Sequence, residues 1–369
     1  MEIWILDPCG TWERRAWADG WAQHSQHRIR RLALPPDPRP PDPARGRARA
    51  LALARRIRRA LTGSAAPDPT RQPAGRPHLL LILDGLDVAA FQEATADLLG
   101  EVPLWIYWHD SQLGRHRSDP DCAASETAAA RVADRLLFNA EGHRRRFLAA
   151  LRALDPAVAS VAAIRSTTLP PGFVPPPSPP WPAPPEATGW FLWIFRGDIE
   201  ALDRLADALE PATAKGIDFR LIALSEDPPR AARRLEHLSQ PLRARLLGIL
   251  HPEDPEVNRW AARSHALLET DPETRSPIWT MAFAARGIPP WASEGSVLAE
   301  LLPYLPTWRD GNDLAEWIEA EREGSAWSLS RIPTRRFAFW LEALQAYAWS
   351  AIAARYDASM AGGEAEGVP

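Results

Sequence analysis

Apolar residues fall in short unbroken runs separated by stretches in which apolar and polar positions follow a helical period. Glu2–Leu6 (EIWIL), Leu79–Leu83 (LLLIL) and Leu104–Trp108 (LWIYW) lack the alternation of a half-exposed strand. They predict parallel strands covered on both faces. Between them, Arg14–His24 places Trp17, Ala18 and Trp21 on one face and predicts a helix. Arg28–Leu34 is expected as a second strand and Ala44–Leu61 as a second helix. Phe91–Leu99 is expected as a crossover helix, Arg135–Asn139 as a further strand, and Glu141–Leu151 as the helix after it. Strand and helix in strict turn predict a doubly wound α/β domain.

The pattern then stops. Pro170–Pro185 (PPGFVPPPSPPWPAPP) contains ten prolines, which excludes a helix or an interior strand there and predicts an extended linker. A second α/β series follows: strands at Trp190–Phe195, Phe219–Leu224, Leu246–Leu250 and Ala266–Glu269, with a helix at Ile199–Leu209. A last aromatic-rich helix is expected over Arg335–Arg355, and the small, polar tail Met360–Pro369 is expected to be disordered. The expected organisation is an N-terminal domain over 1–168, a linker over 169–188 and a second domain over 189–334. A crossing helix (335–359) and a tail (360–369) complete it.

Composition narrows the class. At 369 residues, with 46% hydrophobic and 24% charged side chains, the chain suits two soluble domains. No apolar run approaches the roughly 20 residues of a spanning helix, and the opening MEIWILDPCG lacks the basic flank and cleavage site of a signal peptide. A cytoplasmic protein without a membrane partner is expected. Cys9 and Cys122 are the only cysteines, so neither a disulfide framework nor zinc-ligand spacing is present, and no metal site is expected. Lys215 is the single lysine among 43 basic residues. That bias reflects coding composition more readily than function, so position matters more than number. Residues 1–165 carry a net +5 and the remainder −9, and Arg28–Arg59 holds 11 arginines against Asp37 and Asp42. The total of −4 argues against a general nucleic-acid binder, while the basic first half permits a local phosphate-rich partner. Arg45, Arg47, Arg49, Arg55, Arg56, Arg58 and Arg59 are the candidates to line such a face; a solvated arginine-rich helix is the equal alternative.

Several segments, in order, resemble the tRNA-queuosine mannosyltransferase family. ILDPCGTWERRAWADGWAQHSQHRIRRLALP is similar to its first strand, glycine-rich loop and W-A-D-G helix, and HLLLILDGLDVAAF to its second core strand and helix. VPLWIYWHDSQL resembles the Y-x-H-E-N-Q-L motif, and RVADRLLFNAEGHRRRFLAAL the A-D-x-x-x-F-N-S-x-x-H-x-x-x-F-L segment. LPPGFV stands where the interdomain P-x-G-I-D turn belongs, and WSAIAARYDASM resembles the helix that crosses back. The resemblance implies an α/β protein of GT-B architecture: two Rossmann-like domains facing a cleft, the C-terminal helix returning to the first domain. It implies a metal-independent, retaining transfer of mannose from GDP-mannose to a queuosine nucleoside in tRNA, with the nucleotide sugar as substrate and no cofactor.

The resemblance also distributes roles. His109, at the end of an apolar strand, is the expected catalytic residue, with Asp110 and Gln112 beside it on the acceptor side. Arg14 aligns with the family's loop histidine, and Gly10 and Thr11 stand at its phosphate-binding glycines. Gly10 and Thr11 thus belong to the donor set, while Arg14 with Arg45, Arg55, Arg56 and Arg59 completes the acceptor and RNA set. On the donor side Arg196 keeps one diphosphate ligand, but the matching lysine is Ala201 and the two glutamates of the sugar-nucleotide segment are Thr274 and Ala282. Each missing carboxylate leaves sugar or ribose hydroxyls unpaired, at about 1–3 kcal/mol. Two functions therefore stand side by side: a glycosyltransferase with a rewritten donor site, or a catalytically inactive GT-B protein that binds RNA or another protein. The pairs Glu226–Asp227, Glu253–Asp254 and Asp310–Asp313 are expected to be loop carboxylates, and most of the 17 tryptophans core residues. No G-x-S-x-G, P-loop or H-E-x-x-H motif occurs.

Overall fold

The structure, a computed structural model, describes residues 1–35, 43–62, 75–84, 86–113, 120–175, 189–195, 199–270, 277–302, 305, 307–322 and 342–361. The chain divides into two compact units, Met1–Gly172 with Trp349–Pro369 and Phe173–Glu273 with Pro277–Ala348.

The first unit is a parallel sheet in the order β2-β1-β3-β4-β5-β6, with β1 Glu2–Asp7, β2 Arg28–Ala33, β3 Leu79–Leu83, β4 Leu104–Trp108, β5 Arg135–Phe138 and β6 Ser166–Thr168. Its helices are α1 Trp12–His24, α2 Pro43–Thr62, α3 Val88–Leu99, α4 Pro120–Val132, α5 Glu141–Leu154 and α6 Pro156–Arg165. The unbroken apolar runs have the reason anticipated for them. Trp4, Leu80, Ile82, Ile106 and Trp108 pack into a core with Ile57, Phe91 and Phe147, while Tyr107 turns the other way onto Trp17 of α1, ring centroids 4.7 Å apart.

The second unit is a parallel sheet ordered β12-β11-β10-β7-β8-β9, with β7 Trp190–Ile194, β8 Arg220–Leu224, β9 Leu246–Leu250, β10 Ala266–Glu269, β11 Pro290–Ser293 and β12 Thr307–Trp308. Helix α7, Ile199–Ala214, continues past Pro211. Asp227 and Asp254 cap helices, accepting from Arg230 N and Glu256 N, and Asp310 accepts from Asn312 N and Asp313 N. These carboxylates therefore serve local backbone, not paired acid–base chemistry.

The aromatic C-terminal segment differs from expectation. Residues 331–341, including Trp340, lie outside the described residues. A turn at Ala346–Tyr347 interrupts the expected helix, and Ala348 forms a bridge with Phe173. A separate C-terminal helix then runs Trp349–Met360 within the first unit. It extends through Met360, which is buried rather than part of a tail; residues 362–369 lie outside the described set. Of the proline-rich segment, 176–188 also lie outside it.

Candidate active site

The strand order of the first sheet reverses between β1 and β3, and at such a point parallel α/β sheets hold ligands in the crevice at their strands' carboxyl ends. Each strand that ends there delivers a polar side chain. Asp7, fully buried at the end of β1, accepts Cys9 N at 3.1 Å and Gly10 N at 2.8 Å through Oδ1. Its Oδ2 takes Arg31 NH2 at 2.7 Å. Gly10 has φ +59°, a left-handed conformation open to glycine at little cost, and so turns the chain into α1 behind Thr11. Arg49 of α2 donates to Cys9 Sγ at 3.6 Å, and burial pushes that thiol's pKa up.

From α1, Arg14 turns inward onto the residue after β3. Its NH2 lies 2.8 Å from Asp84 Oδ2 and its NH1 donates to Asp84 O at 2.8 Å. Burial opposes the guanidinium charge, but the Asp84 carboxylate holds its pKa well above the ordinary value. Next to this pair is His109, following β4, with Nδ1 3.5 Å from Asp84 Oδ1. The ring is enclosed by Tyr107 (4.6 Å) and Trp17 (5.2 Å), both in tilted or edge contact. Among the described residues, neither ring nitrogen of His109 nor Asp84 Oδ1 has a hydrogen-bond partner, although both side chains are about nineteen-twentieths buried. Orphaned buried polar atoms are uncommon away from functional sites.

The turn after His109 is clamped from two sides. Asn139 Nδ2 donates to His109 O at 3.0 Å, which leaves Oδ1 to accept from His143 Nδ1 at 2.7 Å; Ser111 Oγ stands 3.0 Å from His143 Nε2. On the other side Glu126 of α4 accepts Gln112 N at 2.8 Å and Leu113 N at 2.7 Å. Burial, with Asp110 nearby, lifts the Glu126 pKa to about 8.

The fold thus gathers Gly10, Thr11, Arg14, His109, Asp110 and Gln112 at one end of the first sheet. It does not bring the α2 arginines there as a group. Arg55, Arg56 and Arg59 are exposed, Arg45 is half-buried, Arg56 donates to Ala33 O, and Arg58 pairs with Asp97 at 2.8 Å. Arg47, Arg55 and Arg59 have no ion-pair partner among the described residues. On the donor side Arg196 and Thr274 lie outside the described residues. Ala201 falls in α7, and Ala282 is half-buried in the helix Ile278–Ala284. That helix also carries Thr280, whose hydroxyl donates to buried Glu269 Oε2 at 2.9 Å, at the end of β10. Sequence reasoning passed over Asp84, Glu126 and Glu269, and held Asn139 and His143 only as motif positions without a role. The signal it could have used is an acidic or amide residue within one position of an apolar run's carboxyl end, which fits Asp84, Asn139 and Glu269. Among the described residues no cluster of three metal-ligating side chains occurs, and no helix is long and apolar enough to cross a membrane.

Two parallel six-stranded α/β units in one chain, the last helix returning to the first, define the GT-B glycosyltransferase fold. Sucrose-phosphate synthase from Thermosynechococcus elongatus superposes with a TM-score of 0.65 at 16% identity, over 98% of both chains. The catalytic domain of starch synthase IV from Arabidopsis thaliana gives 0.62 at 11% identity, over 96% of this chain and 97% of that one. An α,α-trehalose-phosphate synthase from Burkholderia vietnamiensis gives 0.59 at 12% identity, over 98% and 99%. At such identities the likeness establishes the fold. Residues 2–166, a little under half of the chain, match the model of the tRNA-queuosine alpha-mannosyltransferase N-terminal domain. No curated protein matches the chain.

Proposed function

We propose that the protein is a glycosyltransferase that moves a sugar from a nucleotide-sugar donor to a hydroxyl of a queuosine nucleoside in tRNA. The sugar and donor that the family name suggests are mannose and GDP-mannose. The observation that carries the reading is the family match over 2–166, which encloses Gly10, Thr11, Arg14, His109, Asp110 and Gln112. In the reaction the bond from the sugar C1 to the diphosphate oxygen breaks and the nucleoside diphosphate leaves with the electron pair. A bond forms from C1 to the acceptor oxygen, whose proton passes to the departing diphosphate. Charge grows on the leaving oxygens, so the proposed diphosphate ligand is Arg196. His109 is assigned to the acceptor hydroxyl.

A second reading is favoured by Ala201, Thr274 and Ala282: a protein that keeps the fold and binds RNA or another protein without transfer. Mass analysis of tRNA nucleosides from cells with and without the gene separates the two. Loss of a hexosyl-queuosine on deletion supports transfer; an unchanged nucleoside profile favours the silent protein.

A further inference from the structure

Three buried groups of the first unit form a line that the family match alone does not interpret. Arg14 spends two donors on Asp84, one on its backbone carbonyl and one on Oδ2, and so fixes which carboxylate oxygen is left over. That oxygen, Oδ1, faces His109 Nδ1 at 3.5 Å. This is longer than an ordinary hydrogen bond, and separations of this kind commonly tighten when a ligand closes the site. The ring cannot swing elsewhere at little cost, because Trp17 and Tyr107 enclose it. A neutral imidazole places its proton on the nitrogen that meets an acceptor, and the other nitrogen is then a lone-pair acceptor. A carboxylate oxygen can only accept.

We infer that Arg14 and Asp84 are positioning residues that hold His109 as the Nδ1–H tautomer and leave Nε2 as a hydrogen-bond acceptor for a substrate hydroxyl. The assignment of that hydroxyl to the sugar acceptor rests on the proposed function; the tautomer does not. Nε2 is buried and unpartnered among the described residues, as an atom awaiting a donor would be. The arrangement follows the general logic of a carboxylate that orients a histidine without itself taking the proton.

The test reads the tautomer in the free protein by long-range proton–nitrogen correlation of His109, at a pH where the ring is neutral. Wild type is expected to show a protonated Nδ1 and a bare Nε2. In Asp84→Asn the amide oxygen must still face Arg14, which only donates, so the amide NH2 faces Nδ1 and the proton moves to Nε2. The double variant Asp84→Asn/Arg14→Met removes the stranded buried charge and frees the amide to rotate. It is expected to show both tautomers, and it serves if the single variant does not fold. A wild-type ring protonated at Nε2 overturns the inference, as does an unaltered Nδ1–H tautomer in both variants. Sugar transfer, assayed separately, is expected to fall about a hundredfold in Asp84→Asn. Absence of transfer in wild type with the expected tautomer counts against the proposed function and leaves the positioning role standing.

Discussion

Trp21 Nε1 donates to Asp357 Oδ1 across 3.0 Å, joining α1 to the C-terminal helix. Asp357 also accepts Ser25 Oγ at 2.6 Å and Gln26 N at 2.7 Å, so its buried charge is spread over three donors from one segment. One residue earlier, the Tyr356 hydroxyl meets Pro170 O at 2.7 Å and the Tyr107 hydroxyl at 3.2 Å. The last helix thereby fastens the elements that enclose His109.

Asp357→Ala should therefore destabilise the protein by about 1–3 kcal/mol, because it strands the buried Trp21 Nε1 and removes the acceptor of two part-buried donors, Ser25 Oγ and Gln26 N. Urea unfolding measures this. Since Trp21 and Asp357 share one bond, Trp21→Phe in the Asp357→Ala background should cost less than it does alone. Strict additivity would show that the bond contributes nothing.

Trp349 is seated between two glycines. A Cβ on Gly172 would lie 2.5 Å from its ring, and one on Gly20 would meet Cδ1 and Nε1. Alanine at 20 gains roughly 1 kcal/mol in helix propensity, but the clash is with a fully buried ring that has nowhere to move. Overpacking should win, lowering stability by about 1–3 kcal/mol net. Replacing Trp349 with Leu should recover part of the Gly20→Ala loss; a thermal melt that shows Gly20→Ala stabilising instead would contradict this packing.

How far the sequence disclosed this arrangement depends on how many residues an element uses to announce itself. Leu79–Leu83 and Leu104–Trp108 were legible because burial on both faces leaves five apolar positions in a row. Pro290–Ser293 and Thr307–Trp308 were not: the first opens on a proline and the second spans two residues, too short for any period. Helix α4 is alanine-rich with little contrast between its faces, so its pattern carries no stripe, yet it delivers Glu126. His109 was visible through its motif. Asp84 could have been singled out by its place just past an apolar run, but its pairing with Arg14 and His109 emerges only in the fold.

Glu126 supplies a pH dependence. Its pKa in the folded chain is about 8, against an ordinary 4.5, so the folded state keeps a proton that the unfolded chain has released. The contribution is full below pH 4.5, declines as pH rises, and is lost above about 8. Glu126→Gln carries no such proton. Its stability relative to wild type should therefore rise between pH 5 and pH 9, on the order of those limits, as read from urea midpoints. A constant difference across that range would show that the carboxyl titrates normally.

Donor binding should be weak. The proposed donor site has Ala201, Thr274 and Ala282 where charged or carboxylate ligands are expected, and on that reading two or three charge-assisted contacts are missing. At about 1.5–3 kcal/mol each, their absence lowers affinity by several powers of ten. Calorimetric titration with GDP-mannose, UDP-glucose and the free nucleotides checks this, and low-micromolar binding of any of them would mean that other groups compensate. The combined change Ala201→Lys, Thr274→Glu and Ala282→Glu should restore a GDP-mannose-induced rise in Tm that no single change produces.

The exposed arginines of α2 bear on RNA. Arg55 and Arg59 have no ion-pair partner among the described residues, Arg56 reaches only a backbone carbonyl, and Arg58 is already neutralised by Asp97. If this face meets phosphates, each arginine that binds one releases counterions, and affinity must fall steeply with salt. A filter-binding series on tRNA at increasing salt should give the Arg55→Ala/Arg56→Ala/Arg59→Ala variant a salt slope shallower by about 2–3, one for each phosphate no longer neutralised. Arg58→Ala, which removes a charge already paired, should leave the slope nearly unchanged. The contrast matters because general loss of positive charge would weaken both variants alike. Equal slopes for wild type and the triple variant would take this helix out of the RNA-binding surface and leave its arginines as a solvated face.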